Sequence, residues 1–129
     1  MSTTMSATTW LLLVLAGGVG ACTRYLLDRA ICSLTRERIG IATINVLGSF
    51  LIGIAAGALD PDSPLRAIAA TGFLGGFTTI STAMVDAIRE HEEFGTHATM
   101  RLIAFTYGSS IVAACLGIGL GRLLRSLLG

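Results

Sequence analysis

Four stretches without any charged residue limit what this chain can fold into. Arg, Lys, Asp and Glu are absent from residues 1–23, 39–59, 67–85 and 102–121, and every charged residue lies between or after these stretches. A helix that crosses a membrane needs about 20 mostly apolar residues, each rising about 1.5 Å. The sequence therefore predicts an all-α membrane protein. Its single domain, residues 1–129, would contain four transmembrane helices at about 8–28, 39–59, 66–87 and 101–122.

Composition excludes several other classes of protein. Charged residues make up 13% of the chain, whereas soluble domains usually carry about 25%, and the mean hydropathy is +0.76. A helical bundle in water is disfavoured because these helices offer no polar face to the solvent. A disordered chain and a typical soluble enzyme are excluded, so we expect a protein that is not an enzyme. The net charge of +1 also predicts no nucleic-acid partner.

The first apolar stretch has a competing interpretation as a cleaved leader. Residues 19–22 (VGAC) follow an apolar run, as in a lipoprotein cleavage box. However, residues 1–9 contain no Lys or Arg, and a signal peptide normally begins with a positively charged region. We therefore expect this stretch to form the first membrane helix.

The arginines give only a weak signal for orientation in the membrane. The chain has no lysine, and its arginines divide six to three between the two predicted faces. The positive-inside rule then places the N-terminus outside by a modest margin, so the chain would need a partner to fix its direction or would insert either way. The larger group is Arg24, Arg29, Arg36, Arg38, Arg89 and Arg101, and the smaller group is Arg66, Arg122 and Arg125.

Polar residues inside the predicted spans are expensive in lipid and normally face protein or water. Asn45 lies in the middle of the second span, and Gly48 and Ser49 share its helix face. Its amide offers two N–H donors. Two interpretations stay open at this point, a hydrogen bond that joins two helices and a position on a transport pathway.

The third span contains an unusual segment, GFLGGFTTIST at residues 72–82. Its glycine pair and consecutive β-branched threonines are poor helix material, so the segment predicts a break. Free backbone carbonyls at a break can bind a cation, and the Thr and Ser hydroxyls can donate to an anion. The alternative is an unbroken helix in which these hydroxyls bond to the carbonyls one turn back.

Pairs of small residues four apart predict close contacts between helices. Packing within one chain is the favoured interpretation, and packing between subunits is the alternative. The pairs are Gly17–Ala21, Gly53–Gly57, Gly72–Gly76 and Gly117–Gly121.

Three stretches together resemble the CrcB (Fluc) family of fluoride channels. Residues 72–82 look like the signature of its third helix, and residues 18–25 (GVGACTRY) and 45–53 (NVLGSFLIG) are similar to two further motifs in the same order. The likeness covers nearly the whole chain. It implies a passive channel subunit in the cell membrane that lowers cytoplasmic fluoride.

The resemblance also implies an assembly, a cofactor and a site. Family members are dual-topology dimers whose two subunits lie antiparallel, with two fluoride pathways along the interface and a structural sodium ion on the dimer axis. The positions that match the sodium-binding carbonyls are Gly75 and Thr78. Fluoride is small and strongly hydrated, so it needs donors such as amides and hydroxyls to replace its water. The matching pathway residues are Asn45, Thr79, Ser81, Thr82 and Ser109, and Arg24 matches the arginine of the first helix.

The sequence departs from the family where the fluoride route is lined. The two phenylalanines of the third helix are replaced by Ile80 and Ala83, and Ile41, Phe105 and Asp86 also differ from the usual residues. We therefore favour a heterodimer, in which a homologous four-span subunit supplies the missing rings, over a homodimer. One alternative is a non-conducting or assembly subunit of such a channel. A small multidrug-type exporter is less favoured, because the charge-free windows contain no carboxylate.

Overall fold

The computed structural model describes residues 5–35 and 40–128, which are helical apart from short connections. The predicted start of the second span at residue 39, together with Arg36 and Arg38, lies outside the described residues. Helix α3 (residues 64–77) begins with Pro64–Arg66, continues as a wider π-type helix over Ala67–Leu74 and ends with Gly75–Phe77. The other helices are α1 (Ala7–Thr35), α2 (Gly40–Ala58), α4 (Ser81–Phe94) and α5 (Thr96–Leu128).

Within the described residues, four helical segments are long and apolar enough to cross a membrane. They are Ala7–Thr35, Gly40–Ala58, Pro64–Phe94, which joins α3 and α4, and Thr96–Leu128. Large apolar side chains point outward, as Trp10, Val14 and Leu26 on α1 illustrate with more than half of their surface exposed. Such outward apolar faces suit lipid rather than water. The predicted all-α protein with four potential membrane spans is confirmed.

Helices α2 and α5 form the most extensive contact of the fold. A Cβ atom at Gly53 would overlap the Ala114 carbonyl oxygen, and one at Gly117 would overlap the Phe50 carbonyl oxygen. Gly57 and Gly121 repeat this arrangement one turn further on. The two backbones therefore touch at positions where no side chain fits, which is the close packing that small residues permit.

Helices α1 and α3 form a second close crossing. A Cβ atom at Gly20 would overlap the Phe73 carbonyl oxygen, and one at Gly76 would overlap the Gly17 carbonyl oxygen. Here α3 is not a regular α-helix, since the amide of Gly75 donates to the carbonyl of Ala70, five residues back. Each of the four small-residue pairs thus has at least one member in contact with another helix of the same chain.

The helical path stops between Phe77 and Ser81. Thr78 adopts an extended backbone, with φ −82° and ψ 153°, and α4 starts at Ser81. The glycine pair before this point and the β-branched pair at Thr78 and Thr79 both weaken a helix locally. Helix α4 ends at Phe94 and is followed by Gly95, whose φ of +81° is readily adopted only by glycine. The chain then turns into α5.

Candidate functional site

A cavity of about 470 Å³ lies beside the interruption between α3 and α4. Helix α2 contributes one wall, the interruption the second and α5 the third. The lining combines one amide, several hydroxyls and a few apolar groups. It consists of Asn45, Ser49, Ile52, Gly75, Thr78, Thr79, Ile80, Thr106, Tyr107 and Ser110.

Asn45 reaches across from α2 and pairs with the main chain of Thr79. Its side-chain amide nitrogen donates to the Thr79 carbonyl oxygen at 2.8 Å, and its Oδ1 accepts from the Thr79 N–H at 2.9 Å. Asn45 is buried, with 8% of its surface exposed. A buried peptide group without partners costs free energy. The two bonds to Asn45 give the Thr79 N–H and C=O the hydrogen-bond partners that a regular helix would otherwise provide. Asn45 thus forms hydrogen bonds from α2 to the third span, at the interruption between α3 and α4.

Hydroxyl groups cluster around Thr79. Its Oγ1 lies 3.2 Å from the Ser81 Oγ and 3.4 Å from the Thr82 Oγ1. It also accepts from the Thr82 main-chain N–H at 3.4 Å, so it partners one of the amides that the first turn of α4 leaves without a helical acceptor. The sequence-predicted residues Asn45, Thr79, Ser81 and Thr82 are therefore brought together.

Two main-chain carbonyls at the interruption have lost their helical donors. In a continuous helix the Thr79 N–H would donate to the Gly75 carbonyl and the Thr82 N–H to the Thr78 carbonyl. Here the first donates to Asn45 and the second to the Thr79 hydroxyl. Gly75 and Thr78 both line the cavity. Uncharged carbonyl oxygens are ligands that suit a hard cation such as sodium, so the donor set fits the predicted ion.

Helix α5 adds residues that the sequence analysis missed. Ser110 lies four residues after Thr106 and three after Tyr107, so it shares a helix face with each of them, and all three line the cavity. In the described part of the chain the buried Ser110 Oγ has no hydrogen-bond partner. A buried hydroxyl in this state is costly and implies a ligand or water. The spacing of these three residues was the signal available in the sequence.

Ser109 lies apart from this group. Its hydroxyl donates to the carbonyls of Phe105 and Thr106 in its own helix. It lines a different, mainly apolar cavity of about 670 Å³ between α2 and α5, next to Phe50 and Phe105. The structure therefore does not bring Ser109 together with Asn45.

The remaining predicted positions lie around the site. Ile80 lines the cavity but has 69% of its surface exposed, and Ala83 is half-buried on the first turn of α4. Arg24 lies on α1, and its buried Nε finds no acceptor among the residues that the structure describes. Residues 5–35 and 40–128 contain no cluster of three His, Cys, Asp or Glu side chains able to hold a metal ion.

This fold and cavity define a multi-pass helical membrane protein with a polar, uncharged site at a helix interruption. Residues 11–122 match the family described as CrcB-like protein, Camphor Resistance (CrcB). The chain belongs to this CrcB family, which confirms the resemblance found in the sequence.

Relatives named as fluoride-specific ion channels support the same assignment. The chain is 41% identical over 117 residues to the fluoride-specific ion channel FluC 3 of Bifidobacterium longum, a match that covers 83% of this chain and 93% of the relative. It is 40% identical over 119 residues to FluC 2 of Cutibacterium acnes, covering 88% and 97%. It is 34% identical over 119 residues to FluC 2 of Mycobacterium tuberculosis, covering 90% and 93%. Ion channels are not enzymes, so that prediction is also confirmed.

Proposed function

We propose that this protein is a subunit of a fluoride-specific channel that lets fluoride leave the cell passively across the cell membrane. The observation that carries the proposal is the cavity beside the interruption, where an amide and several hydroxyls face one space without any carboxylate. Such donors can replace the water around a small anion, whereas a carboxylate would repel it. The names of the relatives support fluoride as the ion. The fluoride pathway would include Asn45, Thr79, Ser81, Thr82 and Ser110.

A structural sodium ion belongs to this proposal. The Gly75 and Thr78 carbonyl oxygens, freed from their helical donors, would hold it, with further ligands from a second subunit. A bound cation supplies a fixed positive potential close to the anion route.

The proposed assembly is an antiparallel dimer in which residues 78–80 form the break of a single third transmembrane helix. Glycines 53, 57, 117 and 121 already pack within the chain, so they are not free to form the subunit contact. Gly75 and Ile80 line the cavity and are exposed, so a second subunit that covered them would close it. Each subunit would then contribute its own break near the dimer axis.

We favour a heterodimer. The highly exposed Ile80 and the small Ala83 occupy the two positions where the family has phenylalanines, so this chain offers no aromatic ring edge there. A homologous subunit in the opposite orientation would supply the missing rings. The lack of both phenylalanines also favours a second candidate function, that of a non-conducting subunit required only for assembly.

A fluoride-electrode assay on sealed liposomes tests the function. Liposomes that contain this chain together with a homologous four-span partner should release fluoride rapidly and retain chloride, while either chain alone should release much less. Rapid efflux from this chain alone would remove the heterodimer from the proposal. No efflux from the pair would contradict the channel function itself.

Variants of this chain test which residues line the fluoride pathway. Ile80→Phe together with Ala83→Phe should raise efflux when this chain is tested alone, and no gain would mean that these positions do not line the route. Ser110→Ala should lower efflux of the pair about threefold or more, the loss of roughly one neutral hydrogen bond. Ser109→Ala is the matched control, since its hydroxyl already bonds to its own helix, and equal losses in the two variants would argue against the cavity as the pathway.

A further inference from the structure

We propose that Asn45 is a positioning residue that keeps α3 from continuing into α4 and thereby presents the Gly75 and Thr78 carbonyl oxygens to a cation. This inference rests on the proposed function insofar as the cation is the proposed sodium ion. It gives Asn45 a task on the main chain that is separate from any contact with fluoride.

The Asn45 side chain competes directly with helix formation. Its Oδ1 takes the Thr79 N–H, which is the one donor that a continuous helix would deliver to the Gly75 carbonyl. Its amide nitrogen also holds the Thr79 carbonyl oxygen at 2.8 Å. A primary amide carries a donor and an acceptor side by side, as a peptide group does, so the pair replaces two helical hydrogen bonds with two equivalent ones. The segment can therefore stay unwound without leaving these groups unpaired.

The same pair sets the direction of the Thr78 carbonyl. The Thr78 C=O and the Thr79 N–H belong to one planar trans peptide, in which the two bonds point in opposite directions. Because the Thr79 N–H points to Asn45, the Thr78 oxygen points away from Asn45. A side chain on α2 thus orients an oxygen that it does not touch.

A linked hydrogen bond takes away the amide that would otherwise donate to the second carbonyl, that of Thr78. The Thr79 hydroxyl accepts from the Thr82 N–H at 3.4 Å, which takes that amide away from the Thr78 carbonyl. This hydroxyl is carried by the residue whose main chain Asn45 holds. Asn45 therefore acts on the Gly75 oxygen directly and on the Thr78 oxygen through the position of Thr79.

Helix α2 is built to hold Asn45 in this place. Its neighbour Ile44 is completely buried, which fixes the rotation of the helix at this turn. One turn later, a Cβ atom at Gly48 would overlap the Thr78 side chain, so glycine lets α2 approach the interruption closely. The asparagine amide also has a second N–H, so holding Thr79 leaves one donor for the cavity.

The test compares Asn45→Leu, which keeps the approximate shape but removes both hydrogen bonds, with Thr79→Val and with the control Ser49→Ala. Ser49 lies on the same face of α2 and lines the same cavity. The thermal midpoint of each purified protein, alone and with its partner subunit, is measured while NaCl replaces N-methylglucamine chloride at constant ionic strength. A second measurement records the ¹³C shifts of threonine-labelled protein, in which the Thr78 Cα reports extended or helical backbone.

We expect the sodium concentration that half-saturates the stabilisation to rise about tenfold or more in Asn45→Leu, since two buried hydrogen bonds are lost. Thr79→Val should cause a smaller rise, because it releases only the Thr82 amide and leaves the Gly75 oxygen free. Ser49→Ala should match the unmodified protein. The Thr78 Cα shift should move toward helical values in Asn45→Leu alone.

The outcomes separate this inference from the proposed function. If the unmodified protein responds to sodium and Asn45→Leu responds equally, with an unchanged Thr78 shift, Asn45 is not the positioning residue, and the sodium site stands. If sodium stabilises none of the proteins but the Thr78 shift changes in Asn45→Leu, Asn45 holds the interruption and the proposed ion is wrong. Should Asn45→Leu fail to fold, the same sodium midpoint in Thr79→Val and Ser49→Ala would overturn the linked hydrogen-bond scheme.

Discussion

The α2–α5 crossing and the α1–α3 crossing are both close contacts between two main chains, but the backbone conformation of the helices differs between them. In both, glycines allow main chain to meet main chain where a Cβ atom would overlap a carbonyl oxygen. At the first crossing both partners are regular α-helices. At the second, α3 contains a π-type stretch and stops at Phe77.

The difference shows that close helix contact does not itself disrupt a helix. Gly117 and Gly53 sit at the tightest points of α2 and α5, and the helices continue through them. The interruption after Phe77 has two additional causes, a β-branched pair with weak helix preference and a buried asparagine that takes over the hydrogen bonds of Thr79. The regular α2–α5 pair supplies two walls of the polar cavity, and the interruption that follows α3 supplies the third.

The largest effect is expected at the regular crossing. Gly117→Ala should lower the free energy of unfolding by about 2 kcal/mol or more, because the added methyl overlaps the Phe50 carbonyl and both helices must move apart. Thermal unfolding of the purified protein in detergent measures this. Gly119→Ala, two residues away, meets no atom within 4 Å among the described residues and should be neutral or stabilising by up to about 1 kcal/mol. Equal effects of the two substitutions would contradict this packing.

An intermediate effect is expected at the interrupted crossing. Gly76→Ala overlaps the Gly17 carbonyl, yet the chain beyond Phe77 is not tied into a continuous helix and can shift. We expect a loss of about 1 kcal/mol, at the low end of the overpacking range, measured by the same unfolding experiment. Gly18→Ala, next to Gly17 on α1, would meet no atom within 4 Å among the described residues, so it serves as the control and should not destabilise the fold. A larger loss in Gly76→Ala than in Gly117→Ala would reverse the comparison.

The smallest effect is expected at the end of the regular pair. Arg125 of α5 forms a salt bridge with Asp60, just after α2, and their side chains are 52% and 69% exposed. Arg125→Gln and Asp60→Asn should each change stability by no more than about 0.5 kcal/mol, as is typical of exposed pairs. A double-mutant cycle at low and high salt measures the coupling, with Arg122→Gln as a control for charge. A coupling well above about 1 kcal/mol would show that this pair, rather than the glycines, fastens the crossing.

Much of the fold was predictable because the membrane imposes a simple rule on sequence. Charge-free stretches long enough to span it mark four helices, and the structure contains four helical segments that meet this requirement. The composition of residues 72–82 also predicted a break in the third span, and Thr78 within this segment has an extended backbone. The small-residue pairs correctly indicated close contacts, but their spacing did not reveal which helices meet.

The candidate site was predictable only in part. Asn45 and the threonines of residues 78–82 stood out because polar groups in lipid are costly. The sequence pointed to Ser109 on α5, whereas the hydroxyl of this pair that lines the cavity beside Asn45 belongs to Ser110. Neighbouring residues on a helix differ by about 100° in direction, so a shift of one residue moves a hydroxyl from the polar cavity to an apolar one.

The sequence by itself determined that this chain forms apolar helices of membrane-spanning length, because hydrocarbon excludes charge and leaves the backbone no partner outside the helix. Only the tertiary structure decided that an asparagine pairs with a threonine main chain 34 positions away and which face of α5 completes the cavity. Those contacts depend on the rotation and approach of whole helices. The physical reason is that the distance between two helices at a glycine contact depends on the surfaces of both helices. A single stretch of sequence describes only one of those surfaces.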